Sequence, residues 1–141
     1  MPEISASVEV PAPPAVVWEV LTDTDAYPRW NTLLTVSGDL EAGETVAARL
    51  SVPGLPTVSF SPTITAVEPE RELRWESSLL GFDAEHVFRL EPTDDGGTRF
   101  VQTETVDGPL AGRVVGRLDR RLRRGFEQMN VGLRRRATEL A

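Results

Sequence analysis

Alternating apolar and polar residues indicate that most of the chain forms β-strands. The first such segment runs from Ile4 to Val10, with apolar residues at the even positions, and residues two apart share one face of a strand. Pro62, inside a later segment, implies an edge strand or a bulge. Six further segments have strand character: Leu33–Val36, Thr45–Val52, Val58–Val67, Glu72–Ser77, Asp83–Glu91 and Thr98–Val106. We expect about seven strands in a meander, an antiparallel arrangement that curls strongly.

Helical periodicity predicts two short helices after the first strand and one long helix at the C-terminal end. The short helices are expected at Ala15–Leu21, behind a proline-rich turn, and at residues 26–30. The long helix opens at Leu110, and its apolar residues recur every three or four positions: Leu110, Val114, Leu118, Leu122, Phe126, Met129, Leu133 and Ala137. The pattern predicts an α+β fold in which a strongly curved antiparallel sheet wraps around the long helix.

Composition excludes several kinds of site. The length of 141 residues suits a single domain. The chain has no cysteine, which excludes disulfides, thiol catalysis and cysteine-ligated zinc. One histidine does not make a zinc site of the usual composition, and the glycines show neither dinucleotide-binding nor P-loop spacing. We therefore expect no metal and no cofactor. The sequence shows no signal-peptide pattern and no apolar run long enough to span a bilayer, so we expect a cytoplasmic protein.

Charge is distributed unevenly along the chain. The formal net charge is −7, yet residues 107–141 hold nine arginines against four acidic residues, while residues 1–106 hold six basic residues against eighteen acidic ones. An acidic body with one basic helix argues against nucleic-acid binding, which needs a basic face. The arginines are expected to form a solvated helix face, with docking on an anionic protein or membrane as the alternative. Monomer and homodimer both remain open.

Candidate chemistry lies on the last predicted hairpin. Its strands are expected to pair Phe88 with Phe100, His86 with Gln102, and Ala84 with Glu104. Inward-facing residues on this hairpin are then His86, Phe88, Leu90, Phe100, Gln102 and Glu104. Three polar groups at one end of an apolar interior must bond to each other, to water or to a ligand. If the protein is an enzyme, His86 assisted by Glu104 is the candidate acid–base pair.

Further residues are candidates for ligand contact, each with packing in the core as the alternative. Trp30 and Asn31 end the second short helix, where they would form one wall of a cavity mouth. Trp75 shares its strand face with inward residues. Phe126 and Met129 lie on the apolar stripe of the long helix, which would form the cavity floor, and Met129 is the adaptable member of that stripe.

Several segments, in their order along the chain, resemble the START-like (SRPBCC) superfamily of polyketide cyclase/dehydrase and lipid-transfer proteins. The segments that carry the resemblance are the first strand with residues 11–23, then Asp25–Asn31, Pro69–Trp75, His86–Pro92 and Gly97–Glu104. The resemblance covers residues 1–141 as one START-like domain and implies the helix-grip fold. It also implies an elongated cavity between sheet and long helix that accommodates lipids, polyketides or other hydrophobic compounds. No catalytic motif shared by the superfamily can be transferred to residues of this chain.

Three functional hypotheses follow. Binding of a hydrophobic small molecule (a lipid, a polyketide or an aromatic compound) agrees best with the inward aromatic residues and with the resemblance. A polyketide cyclase/dehydratase-like enzyme would use His86. A non-catalytic partner-binding module would use the arginine-rich helix face.

Overall fold

Eight strands and three helical segments make up the part of the chain that the computed structural model describes, residues 2–79 and 81–141. The strands are β1 (Glu3–Val10), β2 (Leu34–Ser37), β3 (Ala47–Leu50), β4 (Val58–Phe60), β5 (Thr63–Glu68), β6 (Glu72–Leu79), β7 (Phe82–Pro92) and β8 (Thr98–Asp107). The helices are α1 (Pro14–Thr22), a 3-10 helix (Thr24–Arg29) and α2 (Ala111–Leu140).

The strands form two antiparallel sheets. A five-stranded sheet has the order β1-β8-β7-β6-β5, and a three-stranded sheet has the order β2-β3-β4. The long helix α2 lies against β1, β8 and α1. The α+β class, the large antiparallel sheet, the long C-terminal helix and the two short helices are as predicted.

The expected count of about seven strands in one sheet is corrected to eight strands in two sheets. The predicted strand Val58–Val67 is divided at Pro62 into β4 and β5, because proline has no N–H to continue a ladder. The carbonyl of Pro62 instead accepts the N–H of Val46 at 3.0 Å. The segment that contains Pro62 therefore connects the two sheets, and β5 forms an edge of the larger one.

The predicted register of the last hairpin is wrong by two residues. Phe100 lies opposite Leu90, Gln102 opposite Phe88, and Glu104 opposite His86. The turn explains the shift: Gly96 has φ +84°, and a three-residue hairpin loop places its left-handed glycine at the third loop position. The loop is therefore 94–96. Because the shift is an even number, every side chain keeps the face that was predicted for it.

The same turn has a local hydrogen-bond network. The hydroxyl of Thr93 and the N–H of Gly97 donate to the carboxylate of Asp95, and these bonds hold the pKa of Asp95 below its ordinary value. The N–H of Gly96 donates to the carbonyl of Thr93 at 3.2 Å. The hairpin that carries the candidate polar residues thus has a turn held by its own side chains.

The two short helical segments close one side of the core. Pro14 occupies the first turn of α1, where the N–H that proline lacks would have no partner within the helix. The hydroxyl of Tyr27, in the 3-10 helix, donates to the carbonyl of Leu21, and burial raises the pKa of Tyr27 well above its ordinary value. The ring of Trp30 meets the ring of Tyr27 edge-on at a centroid distance of 5.1 Å.

The buried face of the larger sheet includes three adjacent rows of cross-strand neighbours. The core row is Ala6, Gln102, Phe88 and Leu73; the polar row is Ile4, Glu104, His86 and Trp75; the small row is Val106, Ala84 and Ser77. The small row has the shortest side chains of the three, so it fills the least space beneath the helix.

The apolar stripe of α2 is buried over only its second half. Phe126, Met129, Leu133 and Ala137 are at most 1% exposed, whereas Val114 is 37% exposed. Leu110 precedes the helix in a left-handed conformation, so α2 begins one residue later than predicted. At Gly132 an added Cβ would lie 2.2 Å from the carbonyl oxygen of Trp30. The stripe therefore packs closely in the second half of α2, whereas in the first half the buried hydrophobic residues are Ala111 and Val115, beside the stripe.

We predict that Phe126→Ala lowers the free energy of unfolding by about 3–5 kcal/mol, because Phe126 is enclosed on all sides. Leu118→Ala, on the half-buried part of the same stripe, should lower it by only about 1 kcal/mol. Chemical denaturation of both variants measures the difference. Equal losses would contradict the division of α2 into a packed half and an open half.

Candidate functional site

A cavity of about 230 Å³ lies between the first half of α2 and the larger sheet. Its lining is mostly apolar. The helix contributes Val114, Val115, Leu118 and Leu122, and the smaller sheet contributes Leu34, Leu50 and Phe60. The larger sheet supplies the whole small row, Leu79 and Phe82 beyond it, and three members of the polar row: Trp75, His86 and Glu104.

The cavity exists because the small row does not fill the space beneath α2. Ser77 lies opposite Ala84, and Ala84 lies opposite Val106, so three neighbouring strands present short side chains at one level. The facing positions of α2 are valine and leucine, which do not reach across. In the core row, by contrast, Phe88 and Leu73 are large and fully buried.

A chain of hydrogen bonds separates the cavity from the packed core. We call Glu104, His86, Gln102 and Asn130 the polar chain. His86 Nδ1 lies 2.9 Å from Glu104 Oε2, and His86 Nε2 lies 3.0 Å from Gln102 Oε1. Gln102 Nε2 donates to Asn130 Oδ1 at 2.7 Å and to the carbonyl oxygen of Phe126 at 3.4 Å. The polar chain thus runs from the cavity wall to α2.

The polar chain defines where its protons lie. Because Gln102 Nε2 faces two oxygen acceptors on α2, Gln102 Oε1 must be the atom that faces His86. His86 Nε2 therefore carries a hydrogen. Nδ1 faces a carboxylate oxygen, and two lone pairs at 2.9 Å would repel, so one further proton lies between His86 and Glu104. This proton makes the contact between His86 Nδ1 and Glu104 Oε2 a hydrogen bond.

Three aromatic rings surround His86. The ring of Phe88 stacks on it at a centroid distance of 4.3 Å, and the rings of Phe126 and Trp75 lie at 5.2 Å and 5.8 Å. These rings enclose the faces of the imidazole, and both of its nitrogens remain bonded within the polar chain.

The structure brings together only some of the candidate site residues. Trp75, His86 and Glu104 line the cavity. Gln102 is fully buried behind His86 and reaches the cavity only through that ring. The remaining aromatic and sulfur-containing candidates on the sheet and on α2 lie in the packed core, at most 1% exposed: Phe88, Phe100, Phe126 and Met129.

Trp30 and Asn31 lie apart from this cavity. Asn31 Oδ1 accepts the N–H groups of Leu33 and Leu34 at 3.0 and 2.9 Å, which holds the chain as it enters β2. Trp30 is 4% exposed and packs against Tyr27. Neither residue is among those that line the cavity beneath α2.

Sequence reasoning missed Asn130 and the small row. Asn130 is 2% exposed and sits between Phe126 and Leu133, so a polar residue within an apolar helix stripe was the available signal. Ser77, Ala84 and Val106 share parity with the inward residues of their strands. Their small size was visible in the sequence, but their alignment in one row depends on the correct register.

Within residues 2–79 and 81–141, no three histidine, aspartate or glutamate side chains are grouped in a way that would hold a metal ion. None of the helices in that same part of the chain is long and apolar enough to cross a membrane.

The polar chain predicts the nuclear magnetic resonance signals of His86, the only histidine. We expect a signal from the Nε2 proton that exchanges slowly with water. Gln102→Leu should remove the protection of this proton, because its acceptor is lost, whereas Gln128→Leu on the exposed face of α2 should leave the signal unchanged. Absence of a protected Nε2 proton in the unsubstituted protein would contradict this assignment.

Comparisons with known proteins place the chain in a family. A family model described as "Polyketide cyclase / dehydrase and lipid transport" matches residues 1–138. No protein of curated function matches the chain by sequence. The solved structures that resemble it are 17–20% identical in the three cases that follow, and at such identity the likeness shows the fold alone.

The first of the three is TTHA0849 from Thermus thermophilus, with a TM-score of 0.78, 20% identity and 99% of each chain covered. A START superfamily protein from Mycobacterium smegmatis has a TM-score of 0.74, 19% identity and 99% of each chain covered. The ZhuI aromatase/cyclase from Streptomyces sp. R1128 has a TM-score of 0.78 and 17% identity, with 97% of this chain and 93% of that one covered. This chain therefore belongs to the polyketide cyclase/dehydrase and lipid-transport family and has its START-like, helix-grip fold, a hydrophobic ligand-binding fold.

Proposed function

We propose that the protein binds a small hydrophobic molecule in the cavity between the larger sheet and the first half of α2. The observation that carries this proposal is an apolar cavity whose wall presents a few polar groups at one level, the polar row. Ligand sites are typically apolar cavities with a few placed polar groups that orient the ligand. We propose Trp75, His86 and Glu104 as the ligand contacts among the sequence-based candidates.

The volume limits the size of the ligand. A dry protein cavity of about 150 Å³ holds benzene, and sites for drug-sized molecules begin at about 300 Å³. A cavity of about 230 Å³ therefore suits a compound with one or two rings, or a chain of similar volume. The partly exposed side chain of Val114 marks where such a compound would reach the cavity from solvent.

The polar chain supports binding rather than acid–base catalysis by His86. Both ring nitrogens of His86 face acceptors of the protein, Glu104 and Gln102, so neither is directed at a bound molecule. A general base must lie within hydrogen-bond reach of the proton that it removes. The role that this geometry supports for His86 is to hold the carboxylate of Glu104 at the cavity wall.

Filling the cavity should abolish binding. Ala84→Leu places a larger side chain in the small row, and we expect it to weaken the binding of 2-naphthol, a two-ring probe, at least about tenfold by loss of space. Val87→Leu is the control, because Val87 lies on the same strand and faces the other side of the sheet. Calorimetric titration measures both, and unchanged affinity in Ala84→Leu would place the ligand site elsewhere.

A further inference from the structure

The wall of the cavity offers an acceptor of hydrogen bonds and few donors. Besides the indole of Trp75, three residues with polar side chains line it: Ser77, His86 and Glu104. Both ring nitrogens of His86 already have partners in the protein, Glu104 and Gln102. The charged group that remains available to a ligand is therefore the carboxylate of Glu104.

Glu104 uses one of its two oxygens in the polar chain. Oε2 contacts His86 Nδ1 at 2.9 Å, whereas no residue within 2–79 or 81–141 donates a hydrogen bond to Oε1. The side chain is 23% exposed and lines the cavity. A carboxylate has about four lone-pair sites, so Oε1 is free to accept from a ligand.

The arginines of α2 do not supply the cavity with a cationic group that could bind an anionic ligand. None of the arginines within the described residues lines the cavity. Arg121 donates to the carbonyl of Gly54, and Arg123 donates to the carbonyl of Ser5 and to Asp119. An anionic ligand would thus meet a carboxylate at the wall, with only neutral donors beside it.

We propose that the cavity selects apolar molecules of one or two rings that carry a hydrogen-bond donor, a hydroxyl or an amine, and that the donor bonds to Glu104. Carboxylates of the same size are disfavoured, because a carboxylate only accepts hydrogen bonds and Oε1 of Glu104 offers it no donor. This inference rests on the proposed binding function and names the chemistry of the ligand's polar group.

Three compounds of matched size test the proposal: 2-naphthol, 2-methylnaphthalene and 2-naphthoate. The first two differ by one hydroxyl in place of a methyl group, and the methyl compound is the more apolar. If burial alone governed affinity, 2-methylnaphthalene would bind more tightly. We expect 2-naphthol to bind at least as tightly as 2-methylnaphthalene, and roughly tenfold or more tightly than 2-naphthoate, in titrations followed by protein resonances.

A matched pair of variants separates a local effect from a general effect of charge. Glu104→Gln should reduce the preference for 2-naphthol over 2-naphthoate by about tenfold, because a neutral amide replaces the charged acceptor. Glu85→Gln removes the same charge at a residue of β7 that is next to His86 but whose side chain points to the other side of the sheet. This variant should leave the preference unchanged. An equal reduction in both variants would overturn the proposal.

The unsubstituted protein alone also decides the question, so the test does not depend on the folding of a variant. Tighter binding of 2-methylnaphthalene than of 2-naphthol, or equal binding of 2-naphthoate and 2-naphthol, would overturn the proposal and leave the binding function intact. Failure of 2-naphthol and 2-methylnaphthalene alike to bind would overturn the binding function and this inference together.

Discussion

The hydrogen bonds from Gln102 to α2 are the constraint on which the arrangement of the interior depends. Gln102 is fully buried in the middle of β8, and a buried amide must find partners. Its partners are the side chain of Asn130 and the carbonyl of Phe126, so α2 must turn this part of its surface toward the core row. The helix can then neither rotate nor slide without leaving an amide without partners, which costs about 1–3 kcal/mol.

Once α2 is held in this way, the division of the interior follows from the lengths of side chains. The second half of the helix meets the core row at Gln102, and Phe88 and Leu73 of that row are fully buried. The first half carries Val114, Val115 and Leu118 over the small row, where the sheet offers only short side chains. The interior is therefore full on one side of the polar row and open on the other. Apolar side chains that line a cavity make fewer dispersion contacts than packed ones. The cavity therefore lowers the stability of the fold.

The polar row lies at the boundary between the packed side and the open side of the interior, and its residues contact both sides. His86 contacts the packed aromatic rings on one side and holds Glu104 at the cavity wall on the other. A half-satisfied polar network would be costly in such surroundings. At His86 both ring nitrogens have partners, whereas Nδ2 of Asn130, at the other end of the polar chain, is buried without one. Oε1 of Glu104 is the acceptor that we propose for a ligand.

Much of this arrangement could be predicted from the sequence, and the failures have physical reasons. Alternation along β7 and β8 gave the correct faces, because parity survives an even shift in register. The register itself depended on which loop position Gly96 occupies, a matter of turn geometry that alternation does not report. The role of Gln102 required a partner on α2, and Asn130 is distant in sequence. The cavity could be expected only from a resemblance, since its volume depends on how three short side chains align beneath a helix.

Xenon derivatisation of crystals tests the division of the interior most directly, because xenon occupies apolar cavities and does not enter a packed core. The account predicts xenon between the small row and the first half of α2, near Val106 and Leu118, and none near Phe126 or Met129. Xenon among the residues of the core row, or no xenon beneath the first half of α2, would contradict it.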